Sequence, residues 1–268
     1  MNKFGSSPFL FCRAISTPGF LNSALEMEGV VVGVLSFLMP EDCVTKYVKD
    51  NDFLNVDCFK MLVSKCLGYG IVAGATLVKL PQIIKVLKTG SAKGLSIPAG
   101  LLELLCYTAT SSYSFYRKFP FSTYGDATFL LVQSAIISFL TISWEISYLY
   151  GITFLSSYVC FVAYTLSPAV ELSLLTLMQA ANTPVILFSR GLQIYANFRN
   201  GSTGQLSAIS VWLMAAGSLA RIFTSIQETG DMLVILNFVV SSFVNIVLSA
   251  QIIYYWNCPL PEKKNGRK

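Results

Sequence analysis

Lys79-Leu80-Pro81-Gln82-Ile83 is followed by Lys88, Gly90, Ser91 and Leu95-Ser96. The same order returns 111 residues later as Arg190-Gly191-Leu192-Gln193-Ile194, Arg199, Gly201, Ser202 and Leu206-Ser207. Recurrence at a fixed offset marks one structural unit used twice. In both copies the quoted stretch closes an apolar run and opens a basic loop, so the unit includes a helix end. The parallel extends loosely to Gly125-Asp126 against Gly230-Asp231, with a shorter second copy.

Composition says what surrounds these units. The chain has 268 residues, of which 54% are hydrophobic and only 12% charged, and its mean hydropathy is +0.61. Too few polar side chains remain to cover a water-soluble domain of this size. About 20 apolar residues cross a bilayer as a helix, the open-chain form that satisfies its own backbone in lipid. Seven segments meet that description: Cys66 to Ile84, then 97–115, 127–144, 147–166, 172–192, 209–226 and 232–256. The joins are weakest at Trp144 to Tyr150 and at Ser167-Pro168, so six spans with a re-entrant segment is the alternative. The run from Gly29 to Met39 is too short to span, and Arg13, Pro18 and Gly19 interrupt any signal-peptide pattern before it.

Basic residues in short loops set orientation. Lys85, Lys88 and Lys93 follow the first span, Arg199 the fifth, and Lys263, Lys264, Arg267 and Lys268 form the tail. All fall on one side of a seven-span chain, which places the amino end outside or luminal and the tail cytosolic. Arg117 and Lys118 run against the pattern. Two copies of three spans stay parallel only if one helix separates them, and 146–167 is that linker. The expected organisation is an N-terminal luminal segment (1–62), a first triple-helix repeat (63–145), the linker helix (146–167), a second repeat (168–257) and a basic cytosolic tail (258–268). A ligand site is then expected at the interface of the two bundles, near the midplane.

The repeated motif carries its own chemistry. Pro81 lacks a backbone donor, so it loosens the cytosolic end of the first span and frees carbonyls. Gln82 either satisfies them or faces a cavity; alternatively the pair merely ends a helix. Gln193 recurs in register, whereas Leu192 stands where the first copy has Pro81. Asn182, Thr183 and Pro184 are expected to interrupt the fifth span near a site. Gly70, Gly74 and Ala75 read as close-packing positions.

Charges inside spans are costly and persist beside a partner or a cavity. Glu103 and Arg221 are the deepest, and either line a polar path for a phosphate or sugar headgroup or form structural pairs. Lys79 and Arg190 occupy equivalent positions, where they snorkel or hold an anionic headgroup. Asp126 and Asp231 read as caps of helix starts. The ligand-binding or hinge candidates are therefore Lys79, Pro81, Gln82, Glu103, Asn182, Pro184, Arg190, Gln193 and Arg221.

Lys79-Leu-Pro-Gln-Ile-Ile-Lys followed by Lys88-Thr-Gly-Ser-Ala-Lys-Gly-Leu-Ser96 resembles a PQ-loop repeat, the plan shared by cystinosin and the SWEET sugar transporters. The resemblance implies an all-α integral membrane fold of seven transmembrane helices, two three-helix PQ-loop bundles joined by a linker helix (3+1+3). Longer strings, Asn200 to Ile209, Gly217 to Asp231 and Lys118 to Ser122, resemble members of that family that serve mannose-phosphate-dolichol utilization. That narrower likeness runs from about residue 40 to 257. It implies an endoplasmic reticulum protein needed for use of mannose- and glucose-phosphate-dolichol in N-glycan precursor, GPI-anchor and protein mannosylation pathways. The implied partners are membrane lipid, the dolichol-phosphate-linked mannose or glucose, and ER glycosyltransferases. Transport, flipping or presentation of the lipid-linked sugar is one mode of action. An organiser that only makes the donor available is another, and small-solute transport a third. The tail lacks lysines at the third and fourth positions from its end, so no dilysine retrieval signal supports residence there.

Several classes fall away. The chain contains no histidine, which excludes His-dependent hydrolysis and His-ligated zinc or haem. Its seven cysteines lack metal-ligand spacing, so no metal and no cofactor is expected. Cys43 and Cys58 fall in the predicted luminal segment, where either a disulfide or two free thiols is chemically permitted. Cys66, Cys106 and Cys160 read as small apolar residues in spans. No phosphate-cradling Gly-Lys-Ser/Thr loop, Gly-x-Ser-x-Gly elbow or paired acidic motif is present, so no catalytic residue and no enzyme is expected. The net charge of +5 sits in membrane-facing loops, which argues against nucleic-acid binding.

Overall fold

The computed structural model describes residues 41–48, 55–92, 95–203 and 208–256, together with Gly33 and Ser36. The basic tail, most of the run from Gly29 to Met39, and the loop residues Lys93, Leu206 and Ser207 lie outside the described residues. Regular structure among the described residues is helical: α1 (Glu41–Val48), α2 (Val56–Val78), α3 (Leu80–Thr89), α4 (Ile97–Tyr116), α5 (Phe121–Glu145), α6 (Tyr148–Thr165), α7 (Leu172–Asn200), α8 (Ala208–Glu228) and α9 (Met232–Tyr254). The chain divides into two compact units, residues 1–66 and 67–268.

In the first unit, the Asn55 side chain accepts the Cys58 N–H at 3.2 Å, a capping bond that starts α2. Cys43 of α1 and Cys58 of α2 are joined by a disulfide with Cα atoms 5.5 Å apart. Val44, Tyr47 and Cys58 form a small buried cluster there, with Leu62 packed against it.

In the second unit the helices follow the apolar segments but not their expected limits. The α2–α3 stretch Val56–Thr89, α5, α6, α7 and α9 are long and apolar enough to cross a membrane. Helix α4 is less apolar than these, and it shares one feature with α8. Each turns a polar face inward, with Thr108, Ser111, Ser112 and Ser114 buried on α4 and Arg221, Thr224 and Ser225 on α8. Membrane interiors use such small polar side chains as interhelical contacts.

The packing order is the same on both sides of the repeat. Helix α5 lies against both α3 and α4, and α9 against both α7 and α8. The third helix of each copy thus sits between the first two. The copies meet where α4 contacts α7 and α5 contacts α8. Helix α6 packs on α5 and α4, held by Thr108–Tyr158 and Ser112–Thr165 hydroxyl bonds of 2.7 and 2.9 Å.

Three expectations change. The first span breaks at Lys79, after Val78 and before Pro81. The fifth does not break: α7 runs through Asn182-Thr183-Pro184 and Arg190 to Asn200. Beside Pro184 the helix is tied to α4, where the Asn182 amide donates to the Cys106 carbonyl at 3.3 Å and to Thr110 at 3.1 Å. Both first helices nevertheless stop alike, on Gly90 (φ 57°) and Gly201 (φ 60°). That left-handed cap favours glycine, which explains its recurrence. Third, Gly70 and Gly74 face open space, whereas a Cβ on Gly68 would meet the Ser122 carbonyl oxygen at 2.9 Å. Close approach of α2 to α5 therefore rests on Gly68.

Candidate functional site

A cavity of about 600 Å³ lies within the second unit, walled by α3, α4, α5, α7 and α9. That volume is typical of a small-molecule site. The wall residues of α4, among them Glu103, Cys106, Tyr107, Thr110 and Ser114, recur every three or four positions and share one helix face. Gln179, Asn182, Ser189 and Arg190 do the same on α7.

The wall is layered. At the end where the basic loops begin stand Lys79, Gln82, Glu103 and Arg190. Lys79 Nζ lies 2.6 Å from a Glu103 carboxylate oxygen and donates to Ser134 at 2.8 Å. The Tyr107 hydroxyl donates to the other Glu103 oxygen at 2.9 Å. Arg190 has uncharged partners, the Gln193 side-chain oxygen at 3.2 Å and the Met214 sulfur at 3.1 Å.

Roughly 10 Å deeper, at two turns of helix rise, comes a neutral layer. Thr110 donates to Gln179 at 3.2 Å, and Asn182 donates to both Thr110 and Gln179. Asn237 of α9 accepts from Thr183 at 3.4 Å. A carboxamide and hydroxyl layer of this kind suits a polyol, because each group offers or accepts hydrogen bonds without a net charge.

Two crossed ion pairs stand toward the far end, and of their four residues Asp126 belongs to the wall. Arg117, after α4, lies 3.3 Å from Asp231, which begins α9. Arg221 of α8 lies 2.6 Å from Asp126 of α5. Each copy thus supplies an arginine to the other copy's aspartate. Tyr113 adds a hydroxyl bond to Asp231 at 2.8 Å, Arg221 donates to the Ser122 carbonyl at 2.8 Å, and Ser122 donates to Glu228. Asp231 also caps α9 through the Leu233 and Val234 N–H groups. Asp126, by contrast, lies inside α5, so its role is the ion pair and not a cap.

The break in the first helix has an origin that the motif alone does not reveal. An unbroken helix would bond the Lys79 N–H to the Ala75 carbonyl. Here the Gln133 carboxamide of α5 is interposed: its oxygen accepts the Lys79 N–H at 2.9 Å, and its nitrogen donates to Ala75 at 2.9 Å and Thr76 at 3.2 Å. A side chain inserted into the ladder is a recognised cause of a sharp bend. In the second copy the register that lays Asp126 on Asp231 puts Phe238 opposite Gln133, and Gln251 of α9 bonds a turn further on, donating to the Ile194 carbonyl at 2.9 Å and accepting from the Asn197 side chain at 3.0 Å. With no main-chain N–H diverted, α7 stays continuous.

Five of the nine residues singled out from sequence meet at the cavity: Lys79, Gln82, Glu103, Asn182 and Arg190. Pro81 occupies the first turn of α3, Pro184 the interior of α7, and Gln193 supports Arg190. Arg221 is held in the ion-pair layer, 3% exposed, and is not part of the cavity wall. Gln133 and Gln179 are functional positions that the repeated motif does not point to. Each is a lone carboxamide in an apolar run, which is the available signal for an interior-facing position.

A helical, multi-pass membrane protein built on an internal repeat is the class these features define. The PQ loop repeat family matches residues 63–123 and 174–234, the same register that relates Lys79 to Arg190. Among known proteins the chain is similar to the human (Homo sapiens) solute carrier family 66 member 3, 27% identical over 178 residues, which cover 66% of this chain and 87% of that protein. No solved structure matches the chain.

Proposed function

We propose that this protein is an endoplasmic reticulum carrier that binds the sugar-phosphate head of mannose- or glucose-phosphate-dolichol between its two bundles and delivers it to the luminal side. The observation that carries the reading is the layered cavity: cations Lys79 and Arg190 at one end, the Thr110–Gln179–Asn182 layer beyond them, and crossed ion pairs toward the other end. A phosphate-linked sugar has the matching order of charge and hydroxyl groups. The polyprenyl tail would remain in lipid, since about 600 Å³ suits a headgroup only.

The narrower identity supports the same reading, because the strings Asn200 to Ile209 and Gly217 to Asp231 resemble the mannose-phosphate-dolichol utilization defect protein. The resemblance to a solute carrier favours movement over static binding. In this reading the seven helices α2/α3 and α4–α9 all span as 3+1+3, the amino end is luminal and the tail cytosolic, and no chemistry is performed. Breaking and remaking the Arg117–Asp231 and Arg221–Asp126 pairs would open the luminal end.

A second reading is an organiser that holds the lipid for transferases without moving it, favoured by the number of polar side chains already bonded between helices. Transbilayer movement of a short-chain mannose-phosphate-dolichol analogue in liposomes separates the two. Movement by wild type that is lost in Asn182→Ala plus Arg190→Gln supports the carrier. A folded wild type that binds the analogue but leaves it in its leaflet supports the organiser, and one that neither binds nor moves it defeats both.

A further inference from the structure

Resting on the carrier reading, we propose that the cavity selects a singly charged phosphate diester, and that the ligand's phosphate takes Glu103's place on Lys79. Charge is the first ground. Among the described residues the ionic side chains of the wall are Lys79, Glu103, Asp126 and Arg190. Asp126 is matched by Arg221 behind the wall and Lys79 by Glu103, so Arg190 leaves the layer with one positive charge. A diester neutralises it, whereas a monoester in its dianionic form leaves an excess negative charge beside Glu103.

The second ground is that the two halves of the Lys79–Glu103 pair are held unequally. The Lys79 side chain is 12% exposed and that of Glu103 is 45% exposed. Lys79 is anchored through its main chain by Gln133 and through Nζ by Ser134. Glu103 keeps a bond from Tyr107 on its own helix, so its carboxylate can leave Lys79 without losing every partner. Solvent reaching the Glu103 carboxylate weakens its half of the pair, and a phosphate oxygen offers the ammonium the same charge-assisted contact.

The third ground links occupancy to shape. Lys79 sits at the break between α2 and α3, and Arg190 stands at the equivalent position of an unbroken helix. A phosphate reaching Arg190 first and Lys79 by exchange would pull on the bundle that is already hinged. The other bundle would serve as the fixed support.

The test is equilibrium binding to the full chain in phosphatidylcholine nanodiscs. Three probes are compared: citronellyl mannosyl phosphate (a diester), mannose 1-phosphate (a monoester) and citronellyl mannoside (neutral). Wild type should hold the diester at least about tenfold more tightly than either other probe. Glu103→Gln, which retains size and an acceptor for Tyr107, should tighten the monoester about tenfold and the diester less, and Lys79→Met should abolish that gain in the double variant. If Glu103→Gln weakens both anions as Lys79→Met does, or leaves both unchanged, the pair is structural and the exchange is wrong although the carrier reading stands. If folded wild type fails to bind the diester, the carrier reading falls with it.

Discussion

Arg221 of α8 and Asp126 of α5 approach to 2.6 Å, and the arginine is 3% exposed. Their counterparts, Arg117 and Asp231, pair at 3.3 Å with 43% and 7% of their side chains exposed. The same crossed contact is therefore made twice, once in a dry setting and once at a wet rim. Asp126→Asn leaves the Arg221 charge buried without that carboxylate, at a cost of about 3–5 kcal/mol, whereas Arg117→Gln removes a half-exposed cation, worth about 1 kcal/mol or less, and leaves Asp231 its bonds from Tyr113, Leu233 and Val234. Asp126→Asn should lower thermal stability in detergent sharply and Arg117→Gln only slightly. Equal losses would show that the pairs are equivalent and that burial does not decide the difference.

Asp231 should behave unlike its partner. It accepts from Tyr113 and caps α9 as well as meeting Arg117. Asp231→Ala removes a cap costing about 1 kcal/mol and leaves the buried Tyr113 hydroxyl without its acceptor. Chemical denaturation should find Asp231→Ala at least about 2 kcal/mol less stable than Arg117→Gln, and parity between the two would contradict this.

Gln133 is the side chain that keeps the first helix open. Gln133→Leu strands the Lys79 N–H and the Ala75 carbonyl, which should cost about 1–3 kcal/mol. The loss should shrink when Pro81→Ala is added, because the ladder from Lys79 to Ala75 can then close without the proline ring nearby. Additive losses in that double-mutant cycle would mean that the break does not depend on the two residues jointly.

Glycines in α2 should differ by position. Gly68→Ala places a methyl 2.9 Å from the Ser122 carbonyl oxygen, while Gly74→Ala meets nothing within 4 Å. Thermal unfolding should rank Gly68→Ala below wild type and Gly74→Ala at or above it, since alanine favours a helix by roughly 1 kcal/mol. A reversed order would place the helix contact elsewhere.

The Cys43–Cys58 bridge spans 15 residues, and closing a loop of that length restricts the unfolded chain by about 3 kcal/mol. Reduction should make the segment before Cys66 sensitive to protease while the helices after it resist. Unchanged cleavage on reduction would assign the stability of that unit to its apolar cluster.

The sequence by itself determined that the chain is helical and membrane-embedded, because hydropathy and span length are properties of composition along a line. It also determined the repeat, because Lys79 and Arg190 keep their register through Gly90 and Gly201. It could nominate Lys79, Gln82, Glu103, Asn182 and Arg190 because polar residues in apolar runs are expensive in lipid. Only the tertiary structure decided who pairs with whom. Lys79 and Glu103 are 24 positions apart, Lys79 and Gln133 are 54 and Tyr113 and Asp231 are 118, so their meeting depends on how helices pack. The break at Lys79 and the continuity at Pro184 were decided in the same way. A carboxamide from another helix diverts one main-chain N–H in the first copy, and the position in register with it in the second is Phe238, which has no such group to offer.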